Sequence, residues 1–179
     1  APGMTLKASA LFGGQEMGCA EAAVEGGQAT LVLDLKEAHL WAVGDPNLYD
    51  LRLSVVQGEK ALDSVDSYFG LRSVTIEGRA ILINGKPVFQ RTVLDQGFYP
   101  DGIWTAPTDA ALKADIEMSM AAGFNGARLH QKVFEPRFLY WADKLGYLVW
   151  GEFPNWGLNY KKPEVNAPVI NEWRELLER

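Results

Sequence analysis

Two glycines constrain this chain more than any other feature. Leu112, Ile116 and Met120 recur at i, i+4 and i+8, one stripe of an amphipathic helix over residues 108–122, and Gly123 follows it. Pro136 opens a second such segment, with Phe138, Trp141, Ala142 and Leu145 as its buried stripe, and Gly146 closes it. Glycine past a helix C-terminus takes φ > 0 without steric cost, so both positions read as helix stops. A short strand candidate follows each stop: residues 125–129, and then Tyr147-Leu148-Val149-Trp150. The second is wholly apolar, as expected of a strand covered on both faces. The two junctions lie 23 residues apart, a compact β/α spacing. A third helical run follows, with Val169, Ile170, Trp173, Leu176 and Leu177 on one side. The C-terminal half therefore reads as β/α units on a parallel sheet.

The first 76 residues have another rhythm. Leu31, Leu33 and Leu35 alternate with polar neighbours over residues 30–35, the pattern of a half-buried strand. Residues 49–55 alternate likewise, with Asp50, Arg52 and Ser54 toward water, and Asp45-Pro46-Asn47 is a turn between the two. Short alternating strands with polar turns predict a small β-sandwich, here shorter than the ~100 residues of a complete one. Residues 1–29 carry little signal. Near residue 77 the character changes. Asn84-Gly85 predicts a type I′ hairpin across residues 80–89, after which the helical periodicity begins. The expected division is residues 1–76 as sandwich and 77–179 as the start of a (β/α)₈ barrel. Three such strands do not close a barrel, so the chain is expected to be a piece of something longer.

Composition narrows the function classes. With 47% apolar and 22% charged residues the chain has the make-up of a globular protein. A net charge of −6 without a Lys/Arg block argues against nucleic acid as a partner. No apolar run reaches the roughly 20 residues of a membrane helix, and Ala1-Pro2-Gly3-Met4 does not begin a signal peptide. One cysteine, Cys19, and two histidines, His39 and His130, leave no ligand set for a Cys- or His-rich metal site, and no cofactor is expected. Phosphate-binding loops, the His-Glu-x-x-His pair and the Gly-x-Ser-x-Gly elbow are missing from the sequence.

In α/β barrels the working residues follow the C-terminal ends of the strands. The first strand, over residues 89–94, leads into Asp95, either a carboxylate for sugar-like hydroxyls or an acidic loop residue. Tyr99, Asp101 and Trp104 in the next loop either stack on a ligand or anchor the loop. The second strand delivers Arg128, His130 and Gln131. Period-2 alternation puts Arg128 and His130 on one face and Leu129 on the other. Pointing inward, Arg128 needs a carboxylate such as Glu152, so a structural ion pair competes with a ligand role. His130 is either a ligand contact or a core histidine. The third strand leads to Glu152, Asn155 and Trp156, the tryptophan being a stacking platform or a packing residue.

Several of these stretches, in order, resemble glycoside hydrolase family 2, which includes β-galactosidases, β-glucuronidases and β-mannosidases. Leu40-Trp41 with Pro46-Asn47-Leu48-Tyr49 and Leu51 is similar to the end of that family's immunoglobulin-like domain. Phe69-Gly70-Leu71-Arg72 resembles its linker, and Leu82-Ile83-Asn84-Gly85-Lys86-Pro87 its barrel entry. Gly123-Phe124-Asn125 with Arg128 resembles its second strand. Tyr147 to Glu152 resembles its third, with Gly151 where an Asp is common.

The resemblance implies an immunoglobulin-like β-sandwich followed by the first three β/α units of a TIM barrel, from a retaining enzyme acting on β-linked glycosides. It implies that Asp95, Arg128, His130, Gln131, Glu152, Asn155 and Trp156 bind substrate, His130 and Gln131 competing for one sugar-contacting role. It also implies that both catalytic carboxylates lie outside this chain, after the fourth and seventh strands. Asn171-Glu172 spells the acid/base pair, but in a helical run, where it reads as surface. Self-association through exposed barrel edges is expected. The rival readings are a non-catalytic carbohydrate-binding or interaction module and an unrelated (β/α)₈ lyase or aldolase using Arg128 and Glu152.

Overall fold

A computed structural model of the protein describes residues 3–178. It divides into two compact units: residues 1–89 with Asp143–Gly146, and residues 90–142 with 147–179.

The first unit is built on an antiparallel sheet of β1 (Met4–Phe12), β2 (Gln15–Ala23), β3 (Tyr49–Gln57) and β4 (Lys60–Phe69), in the order β2-β1-β3-β4. Gly13 and Gly14, at φ 57° and 81°, supply the left-handed pair that the tight β1–β2 turn requires. Ala8, Ala10, Met17 and Tyr49 are buried on this sheet. Tyr49 stacks on Phe69 at 4.9 Å. Its hydroxyl donates to Glu37 O and accepts from His39 N, both at 2.7 Å, so the buried phenol leaves no polar cost uncompensated. Trp41, also buried, donates its indole N–H to Asp143 O at 2.8 Å.

The strand expected at residues 30–35 does not form. The segment keeps its alternation, with Leu31, Leu33 and Leu35 half-buried, but joins no ladder. It crosses the sheet at Gly18, where an added Cβ would lie 2.5 Å from Asp34 O, and Lys36 N donates to Met17 O. Apolar alternation there reflects packing over a sheet rather than pairing within one. A second, smaller sheet joins β5 (Val74–Glu77), β6 (Ala80–Ile83) and β7 (Lys86–Pro87) in order. Asn84 and Gly85, at φ 54° and 73°, form the expected type I′ turn.

The second unit alternates strand and helix: β8 (Thr92–Asp95), α1 (Asp109–Ala121), β9 (Gly126–Leu129), α2 (Pro136–Leu145, continuing into Asp143–Gly146 of the first unit), β10 (Leu148–Gly151) and α3 (Asn166–Leu177). The three strands are parallel, with β9 in the middle, and Thr92, Gly126 and Leu148 are in register. A Cβ at Gly126 would meet Leu148 Cβ and O at 2.8 Å and Thr92 Cγ2 at 3.2 Å, so only glycine fits between these neighbours. Thr108 caps α1 by accepting from Ala111 N. Leu112 and Ile116 of α1 and Phe138 and Ala142 of α2 are buried, along with Ala127 and Leu129 of β9. Each of the larger side chains contributes about 1.5–3 kcal/mol by burial.

α3 departs from expectation. None of its residues is buried, and Ile170, Trp173, Leu176 and Leu177 are exposed. Its apolar stripe has the right spacing, but no strand after β10 lies among the described residues for it to cover.

Candidate functional site

β8, β9 and β10 end together, with Asp95, Leu129 and Gly151 in register, so the residues that follow emerge from one edge of the sheet. Asp95 is half-buried. Its backbone O accepts from His130 N and its Oδ1 from Gly97 N, both at 2.8 Å. Burial pushes its carboxyl above the usual carboxylate range; the Gly97 bond opposes this, the Asp115 carboxylate adds to it and the Lys132 ammonium opposes it.

Arg128 and Glu152 form an ion pair across β9 and β10, with side chains 47% and 16% exposed. The Arg128 hydrogen bond holds the Glu152 carboxyl below its usual range, and Gln131 N, at 3.2 Å, donates to its other oxygen. The charge that sequence reasoning expected to need a partner has the partner it named. It is not buried, however. The ladder ends at Leu129, Arg128 is exposed and His130 only 8% exposed, and the chain turns at Gln131 (φ 56°).

His130 Nδ1 lies 3.0 Å from Gln96 Nε2. An amide nitrogen only donates, so in this pairing Nδ1 is the acceptor. The Trp156 ring is perpendicular to the imidazole, with centroids 5.1 Å apart, while Trp156 itself is 78% exposed. Gln131 engages both ends of its amide. Oε1 accepts from Asn155 N (2.8 Å) and Trp156 N (3.0 Å), and Nε2 donates to Asn155 Oδ1 (2.6 Å). Six of the seven residues expected at the site thus form one connected group, and Asp95 joins it through the His130 backbone.

Sequence reasoning missed Gln96 and Lys132. Lys132, only 9% exposed, donates Nζ to Gly97 O (3.1 Å) and Trp104 O (2.7 Å) beside the Phe134 ring. It thereby ties down the loop after β8. Tyr99 anchors the same loop by donating to Asp115 Oδ2 at 2.6 Å, and burial with that bond pushes its hydroxyl well above the ordinary tyrosine range. Nothing in the Lys132-Val133-Phe134 stretch separates a clasp from a surface lysine. Among the described residues, no group of three or more His, Cys, Asp or Glu is arranged to hold a metal ion.

Residues 13–72 match the family described as "Glycosyl hydrolases family 2". A beta-galactosidase of Leuconostoc mesenteroides subsp. mesenteroides is 30% identical over 155 residues, which cover 82% of this chain and 14% of that protein. The chain belongs to glycosyl hydrolases family 2. A putative beta-glucuronidase of Formosa agariphila is 28% identical over 151 residues, again 82% of this chain and 14% of the relative. The family 2 chain therefore spans about 14% of the length of the curated relatives it matches. Its fold also matches the b-glucuronidase of Ruminococcus gnavus solved with a C6-substituted uronic isofagomine. There the TM-score is 0.79 at 24% identity, over 94% of this chain and 28% of that one. The likeness extends across the mixed architecture, mostly β with few helices.

Proposed function

We propose that the chain is part of a retaining glycoside hydrolase acting on β-linked glycosides, and that it supplies one wall of the sugar pocket. In this reading residues 1–76 are an immunoglobulin-like sandwich and residues 77–179 begin a TIM barrel with its first three β/α units. His130 and Trp156 face the sugar, with Asp95, Arg128, Gln131, Glu152 and Asn155 around them. The observation that carries the proposal is the gathering of these side chains where three parallel strands end, in a family 2 chain.

Retention requires two carboxyl groups roughly 5–5.5 Å apart, one acid/base and one nucleophile. Neither carboxylate at this edge suits the task. Glu152 is committed to Arg128 and the Gln131 amide, and Asp95 to Gly97 N. The account therefore assigns both catalytic carboxylates to residues outside these 179, and the chain alone is inactive. Glu172 is exposed on α3, in keeping with a surface role. Mutual neutralisation of Arg128 and Glu152 also speaks against the lyase or aldolase reading, which needs one of them as an acid or base. Leu94 and Trp150 are exposed on β8 and β10, the two edge strands, which supports self-association of the isolated chain. The test is hydrolysis of nitrophenyl β-glycosides by the intact gene product and by the 179-residue chain: the first turns over and the second does not. Turnover by the isolated chain, lost in Glu172→Gln, would overturn the assignment.

A further inference from the structure

Among the residues at this edge, Gln131 combines a backbone outlier with a side chain whose amide oxygen and nitrogen are both engaged. Its φ of 56° lies in the left-handed region, which a glutamine adopts at a cost. That conformation aims the amide back across the sheet edge at the loop following β10. There Oε1 receives two successive backbone N–H groups, those of Asn155 and Trp156, and Nε2 takes the Asn155 side-chain oxygen. The Gln131 backbone N–H meanwhile fixes Glu152, three residues earlier in the same loop. One residue therefore pins the loop at Glu152, Asn155 and Trp156, and no donor or acceptor direction of its amide points at a ligand except the second hydrogen on Nε2.

We infer that Gln131 is a positioning residue: it sets the Asn155-Trp156 backbone so that the exposed Trp156 indole stands perpendicular to the His130 ring, and does not itself contact the sugar. Resting on the glycosidase reading, this makes Trp156 the stacking platform for the apolar face of a pyranoside ring. A platform of this kind works through fixed orientation, because a mobile indole loses the entropy of ordering each time a ring lands on it.

The test uses Gln131→Gly, which accepts the left-handed backbone without strain and removes the side chain with its amide. Gln131→Glu keeps an oxygen for the Asn155 and Trp156 N–H groups, giving up only the Nε2 donor to Asn155, and is the rescue variant. Amide hydrogen exchange at Asn155 and Trp156 reads the clamp: the account expects exchange faster by on the order of tenfold in Gln131→Gly and largely restored in Gln131→Glu. Unchanged exchange in Gln131→Gly would overturn it. Titration of the intact gene product with methyl β-D-glucuronide and methyl β-D-galactoside, read by affinity, separates positioning from contact. Positioning predicts that Gln131→Gly and Trp156→Ala each weaken binding of the sugar that binds, and that the double variant is no weaker than Trp156→Ala. Additive losses would mean that Gln131 touches the sugar and would refute the inference. If the wild type binds neither glycoside, the glycosidase reading fails, while the exchange result still decides the clamp.

Discussion

The Arg128 guanidinium donates to the Glu152 carboxylate across two adjacent parallel strands, at the edge of the sheet where the remaining site residues emerge. This pairing, backed by the Gln131 amide, holds Glu152 ionised below the pH at which glutamates ordinarily protonate. A depressed carboxyl stabilises the fold above its unfolded value and loses that contribution as pH falls through its folded value. Carbon-13 titration of the Glu152 carboxyl should give a midpoint below the usual glutamate range. In Arg128→Met the midpoint should move up toward that range. An unshifted midpoint in the variant would show that the pair does not govern Glu152.

Asp95 carries the opposite sign. Its folded carboxyl is raised, chiefly by burial, with Asp115 adding to the effect and Lys132 and Gly97 N opposing it. A raised carboxyl favours the fold most below its unfolded value, and that contribution fades as pH rises through the folded one. Asp95→Asn keeps an acceptor for Gly97 N and removes the charge. Urea unfolding at a series of pH values should show Asp95→Asn gaining on the wild type as pH climbs from below the ordinary aspartate range to neutrality. Parallel curves would contradict this.

Lys132 is the clasp of the loop after β8, with two backbone carbonyls as acceptors and almost no exposure. Lys132→Met preserves the stem and strands both carbonyls. Loss of charged hydrogen bonds of this kind costs about 1.5–3 kcal/mol, which equilibrium unfolding would resolve. Exchange at Gly97 to Trp104 should rise with it. A loss under about 0.5 kcal/mol would mean that water replaces the ammonium without cost.

What was legible in the sequence follows from the physics of each element. Thr108, Gly123, Pro136 and Gly146 bracket α1 and α2 because caps and glycine stops are local, and Asn84-Gly85 marks its turn for the same reason. β1 and β2 were invisible because Ala8, Ala10, Gly18 and Cys19 lack the bulk that makes alternation readable. The opposite failure, at residues 30–35, arose because alternation reports one buried face and not a hydrogen-bonded neighbour. The site residues were found from strand ends, but their wiring was not. A left-handed Gln131, a buried Lys132 and a buried His130 close to an exposed Arg128 all depend on how the chain runs on past the ladder, which no spacing rule encodes.

One wall of a retaining β-glycosidase pocket is the role proposed here for this chain. Its most direct test is proton NMR of nitrophenyl β-glycoside hydrolysis by the intact gene product, following the anomer first released. The account predicts turnover with the β anomer appearing before mutarotation. No turnover of β-glucuronide or β-galactoside, or first release of the α anomer, would contradict it.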